Sequence, residues 1–125
     1  MSNAGLAISG GEVDMLRANS CALINESLTR ISYFSISGNS FMLGEYATRL
    51  RDGSYSTRQR FRLFYAGNLR PIAEFNTRHQ VALFQYTLER LFRGEGVTST
   101  STAKGVRDAM RVYNLFKSKY PSLYS

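Results

Sequence analysis

Residues 37–74 read SGNSFMLGEYATRLRDGSYSTRQRFRLFYAGNLRPIAE, and the fold depends on how this stretch is taken. Ser37-Gly38-Asn39-Ser40 has turn composition, and its short side-chain oxygens suit a helix N-cap. A helix is therefore expected from about Phe41 to Asp52, with Gly53 as its break. Between Tyr55 and Ala66, Phe61, Phe64 and Tyr65 share one face at helical spacing. Gly67-Asn68 can end that helix. Pro71 suits the first turn of another helix running to about Phe92, with Val81, Phe84, Leu88 and Leu91 on one side.

The same period extends in both directions. Upstream, Val13, Leu16, Leu23, Ile24, Leu28 and Ile31 fall near one helical face. Downstream, Val106, Ala109, Met110, Tyr113 and Phe116 keep the spacing until Pro121 stops it. Residues 1–11 read as a flexible lead-in, Gly94 to Thr102 as a loop, and residues 120–125 as a tail. No stretch alternates cleanly with β-branched residues, so no sheet is expected. The reading predicts one all-α domain over residues 1–125, with about five or six helices.

Composition bounds the function. The chain has 125 residues, 43% hydrophobic and 20% charged, an ordinary balance for one globular core. No apolar run approaches the roughly 18–20 residues that span a bilayer. The N-terminus lacks a basic patch followed by an apolar stretch, so a cytosolic location is expected. One cysteine, Cys21, and one histidine, His79, are too few for Cys/His metal chemistry. The net charge is +7, carried by 13 Arg and 3 Lys. Guanidinium groups pair with carboxylates and phosphates and stack on rings, so nucleic acid, an acidic protein or an anionic cofactor would suit this surface.

Catalytic patterns do not emerge. His79 would have to be the base of any hydrolytic triad, yet it sits in the polar run Thr77-Arg78-His79-Gln80. No P-loop or Gly-x-Gly-x-x-Gly is present, and the carboxylate pairs Glu12/Asp14 and Glu89/Glu95 have no reason to share a cleft. A non-enzyme is expected. Arg58, Arg60 and Arg62 interleave with Phe61, Phe64 and Tyr65, a composition that can bind single strands by stacking and phosphate contact. On a helix, however, those rings form a core stripe with a basic solvent face, and that reading is preferred here.

One resemblance is specific. Gly38-Asn39, Ala47-Thr48-Arg49-Leu50-Arg51-Asp52, Arg58, Ala66-Gly67-Asn68 and Pro71-Ile72-x-Glu74 match, without a gap, the spacing found in phycobiliproteins. Leu-Arg-Asp-Gly is similar to phycoerythrin β chains, and Ala18-Asn19-Ser20-Cys21 resembles their segment holding a second bilin. The resemblance covers about a third of the chain well. It implies a globin-like helical bundle and a light-harvesting or antenna-accessory role in a phycobilisome. It also implies an open-chain tetrapyrrole (bilin) as cofactor, and phycobiliprotein subunits or linker proteins as partners, with a homo-oligomer or docking at the thylakoid surface. Arg49 replaces the cysteine that carries the central bilin, so covalent binding there is lost. Arg51 and Arg58 would meet propionates, Asp52 the pyrrole nitrogens, Asn39 would lie near the pigment, and Cys21 would be the remaining attachment thiol. The alternative is a small basic helical module that binds nucleic acid or an acidic partner protein.

Overall fold

The computed structural model describes residues 10–65, 67–97 and 103–119. The element order is α1 (Gly10–Ser20), β1 (Glu26–Ile36), β2 (Asn39–Arg49), β3 (Tyr55–Tyr65), β4 (Ala73–Phe75), α2 (Arg78–Phe92) and α3 (Lys104–Lys119). The four strands form one antiparallel sheet in the order β1-β2-β3-β4, each beside its neighbour in sequence.

This α+β architecture corrects the expected all-α, globin-like bundle, the scaffold that the phycobilisome and bilin expectations presupposed. The turn at Ser37-Gly38 caps no helix. It joins β1 to β2 as a two-residue hairpin loop, with φ of 53° at Ser37 and 81° at Gly38. Positive φ at both central residues is the turn whose twist matches that of the flanking strands. Asp52-Gly53 makes the second hairpin: Gly53 has φ 88°, and Asp52 Oδ1 accepts the Ser54 N–H at 2.9 Å. The stretches expected as helices at Phe41–Asp52 and Tyr55–Ala66 hold instead β2, which ends at Arg49 before the turn, and β3, which ends at Tyr65. The long N-terminal helix divides into α1 and β1. The helix expected from Pro71 begins at Arg78, after β4. The final helix is found at α3. Residues 1–9, 66, 98–102 and 120–125, which include most of the lead-in, the end of one expected helix, part of the loop and the tail, lie outside the described residues.

Strand register sorts the side chains by period two. Phe34, Ile36, Phe41, Leu43, Phe61, Leu63, Ala73 and Phe75 point to one face. There they meet Val81, Phe84 and Leu88 of α2 and Ala109, Val112 and Phe116 of α3. Phe41 stacks on Phe34 and Phe116, with centroids 5.2 and 6.0 Å apart, and Phe84 meets Phe75 at 5.3 Å. Gly105 permits close packing of α3 on α2: a Cβ there would come within 2.7 Å of the Gln80 carbonyl oxygen. Among the described residues, no helix is long and apolar enough to cross a membrane.

The opposite face carries α1 and a smaller apolar cluster of Ala18, Met42 and Phe64. Beside it lies a buried ionic network. Arg62 donates to Glu26 Oε1 at 2.7 Å and to Glu74 Oε1 at 3.1 Å, and its guanidinium sits 4.6 Å from the centre of the Tyr46 ring. Arg62 opposes Gly44 across the ladder. A Cβ on Gly44 would come within 2.9 Å of the Tyr46 hydroxyl, so glycine lets that ring lie flat against the sheet. The Tyr46 hydroxyl donates to the Ala18 carbonyl at 2.8 Å, tying the sheet to α1. Burial pushes the Tyr46 phenol up to about 12.

Candidate nucleic-acid interface

The end of the sheet formed by the β2–β3 hairpin gathers positive charge. Arg49 ends β2, Arg51 lies in the turn, and Arg58 and Arg60 lie on β3; all four are exposed. Elsewhere carboxylates hold eight of the cations. Glu26 and Glu74 take Arg62, Glu45 takes Arg78 and Arg30, and Asp14 takes Arg17. Glu95 takes Arg93 and Arg90, and Asp108 takes Lys104 and Arg111. Among the described residues, Arg49, Arg51, Arg58 and Arg60 have no ion-pair partner. Arg70, Arg107 and Lys117 have no ion-pair partner there either, but they are scattered, whereas four guanidinium groups that can meet an external anion share the β2–β3 hairpin end.

Backbone geometry shapes this end. From Ala47 to Arg49, β2 advances two residues, while β3 advances four between Gln59 and Tyr55, so β3 carries a bulge. A bulge bends the strand and re-aims the side chains beside it. The Arg58 N–H donates to Ser56 Oγ at 3.0 Å within it. On its other side, β3 pairs with β4 over Phe61–Leu63, and among the described residues no strand pairs with that side of residues 55–60. A cleft of about 450 Å³ opens there, lined by Thr48, Leu50, Ser56, Arg58, Gln59, Arg60 and Asn76. A second hollow of about 420 Å³ shares Arg58, Gln59 and Asn76 and reaches Thr77 and Arg78. Both volumes fall in the range of clefts that hold nucleotide-sized ligands.

The start of α2 borders the second hollow. Thr77 Oγ1 accepts from the Gln80 N–H at 3.1 Å, and Gln80 Oε1 accepts from the Asn76 N–H at 2.8 Å, a reciprocal cap. The positive end of the helix dipole adds to the arginine field. Arg78 is anchored by the buried Glu45 carboxylate at 2.6 Å, touches Gln59 Oε1 at 3.3 Å, and lies 5.4 Å from the Phe61 ring centre. Exposed Leu50 and Tyr55 add apolar and aromatic surface next to the arginines. The Tyr55 hydroxyl and Ser27 Oγ are 3.2 Å apart, which leaves the ring half-exposed.

The residues proposed from sequence separate. Arg51, Asp52 and Arg58 come together at this basic end. Asp52 is exposed in the turn, and hydrogen bonds from the Ser54 hydroxyl and N–H hold its carboxyl below the usual range. Asn39 lies at the far end of β2, roughly 33 Å away at about 3.3 Å per residue. There it donates to the Ile36 and Ser37 carbonyls and accepts from the Tyr65 hydroxyl at 3.3 Å. Cys21 is half-buried after α1, with Sγ 3.5 Å from the Leu69 carbonyl oxygen. These five residues do not line a common groove. His79 is exposed in the first turn of α2. Sequence reading treated Arg58, Arg60 and Arg62 as one helical set; on a strand, Arg62 is buried in an ion pair and Arg60 is free. Arg49 was read only as the replacement for a pigment cysteine. Its place opposite Tyr55, at the same end of the sheet as Arg58 and Arg60, follows from the hairpin register, and period-two alternation in Gln59-Arg60-Phe61-Arg62-Leu63 is the sequence signal for that strand.

No family model, curated protein or solved structure matches the chain.

Proposed function

We propose that this chain is a non-catalytic module that binds single-stranded nucleic acid at the basic end of its sheet. The observation that carries the reading is the cluster of Arg49, Arg51, Arg58 and Arg60 on one hairpin end, none of them in an ion pair among the described residues. Phosphates supply charge at regular spacing, and guanidinium forks bind them bidentately. The half-exposed Tyr55 ring and the Arg planes offer faces on which unstacked bases can lie. The bulged, open part of β3 gives a strand room to pass between the hairpin and the start of α2.

The test is fluorescence anisotropy with a labelled mixed-sequence single strand across a salt series. Affinity should fall steeply with salt. The Arg58→Ala/Arg60→Ala double variant should bind at least about tenfold more weakly, and its log–log salt slope should drop by about 1.4, near 0.7 for each lost phosphate contact. Equal binding of poly-glutamate at matched charge would assign the site to an acidic protein instead. Oligonucleotide binding that ignores the two substitutions would remove the site altogether.

A further inference from the structure

Strand β1 forms one edge of the sheet, and among the described residues no strand pairs with its outer side. After a bulge between Leu28 and Arg30, the stretch from Arg30 to Ile36 runs in unbroken register with β2. The hairpin geometry fixes which main-chain groups face outward. Ile36 and Asn39 flank the two-residue loop as a hydrogen-bonded pair. Alternation then turns the N–H and C=O of Ile31, Tyr33 and Ser35 away from β2. Soluble proteins protect such edges with proline, lysine, bulges or inward charges. Ile31–Ile36 (ISYFSI) contains none of these, although the chain as a whole carries +7.

Among the described residues, nothing covers the apolar surface beside this edge either. Helix α1 buries Arg17 and Ala18 against the sheet and leaves Val13, Met15 and Leu16 exposed, Leu16 by 62%. It lies close to the edge, because the Tyr33 hydroxyl donates to Asp14 Oδ2 at 2.7 Å, while the rest of Tyr33 is 59% exposed.

We infer that this edge pairs with a second copy of the chain, β1 antiparallel to β1 about a two-fold axis at Tyr33. The register is self-complementary. Tyr33 exchanges main-chain hydrogen bonds with its symmetry mate, and Ile31 exchanges them with Ser35, in hydrogen-bonded pairs. The facing stretch is uncharged, so two strongly cationic chains meet where neither presents charge. The axis beside Tyr33 brings the two α1 helices toward each other, and Val13 and Leu16 gain a partner. The contact is isologous and closes at two subunits, giving one eight-stranded sheet. The basic ends lie at opposite extremes of that sheet, so the dimer leaves the proposed nucleic-acid interface free and does not depend on it.

Sedimentation velocity on the full chain over a concentration series tests this. The wild type should sediment as two chains in the range of tens of micromolar. Ser35→Pro removes an outward N–H while sparing the ladder to β2. Leu16→Glu places charge on the α1 contact. Each should raise the dimer dissociation constant at least tenfold with an unchanged circular dichroism spectrum. A wild type that stays a single chain at about 100 μM, a dimer indifferent to both substitutions, or an open-ended series of larger species would overturn the inference. Because Leu16→Glu leaves the strand untouched, it decides the matter if Ser35→Pro disturbs folding.

Discussion

The two faces of the sheet are built on opposite principles. The face under α2 and α3 is an aromatic core, with Phe41, Phe61, Phe75, Phe84 and Phe116 in contact and almost fully buried. Among the described residues, the face under α1 has Ala18, Met42 and Phe64 as its buried apolar cluster, and Arg62, Glu26 and Tyr46 lie beside it. The first gains stability from area removed from water and tolerates approximate fits. The second depends on directional groups that must all be satisfied, because a buried charge that loses its partner is far worse than no charge. The helix-pair face accordingly holds the fold together, while the α1 face fixes where the first helix sits.

Substitutions that disturb one face at a time test this contrast. The largest effect is expected from Phe84→Ala, which empties the space between Phe75 and α3; chemical denaturation should register a loss of about 4 kcal/mol. Arg62→Ala should cost about 3 kcal/mol by leaving Glu26 buried and uncompensated. The companion Arg62→Met/Glu26→Leu double variant should recover most of that loss, an outcome that distinguishes an ionic network from simple packing. Gly105→Ala should cost about 2 kcal/mol by pushing α3 off the Gln80 carbonyl, with the thermal midpoint falling accordingly.

The smallest effect is that of pH. Burial works against ionisation of Glu26, but the Arg62 guanidinium and the Leu23 N–H outweigh it and hold the carboxyl below its ordinary value of 4.5. A depressed folded-state value stabilises the protein at pH above 4.5, and the contribution disappears as pH falls through the lower folded value. Acid titration of stability should be shallower in Glu26→Gln than in the wild type over that window. Identical acid limbs would contradict the pairing.

The helices were legible from sequence, and the sheet was not. Val81, Phe84 and Leu88, like Val106, Ala109, Tyr113 and Phe116, lie on helices with one buried face, so their period survives in the sequence. Strand β2 is buried on both faces from Phe41 to Ala47, and a strand covered on both sides has no alternation to display. In β3, Phe61, Phe64 and Tyr65 satisfy helical spacing by coincidence: Phe61 and Tyr65 face α2 and α3, whereas Phe64 faces α1. Ser37-Gly38 and Asp52-Gly53 are hairpin signals, but the same residue types also suit a helix cap and a helix break. The likeness to phycobiliproteins strengthened that reading, since its matching residues fall largely in turns, where glycine, asparagine and aspartate recur in unrelated folds. Of the candidate site, Arg51, Arg58 and Arg60 stand out from sequence, the first as a pigment contact and the other two in a basic and aromatic run. Arg49 needed the strand register, because its place opposite Tyr55 is set by pairing across β2 and β3 and not by distance along the chain.

The order of the strands also bears on how the chain reaches this form. Each strand lies beside the one before it, and the two long hairpins close over loops of a few residues. Little chain entropy is lost before the first ladder bonds form, so the sheet can zip from either hairpin without waiting for distant segments to meet. The helical pair at the C-terminal end of the chain then seals a surface that is already assembled. During synthesis, when the N-terminal part emerges first, that surface stays open until α2 and α3 arrive, and the interval before they do is when the chain is most exposed to misassociation.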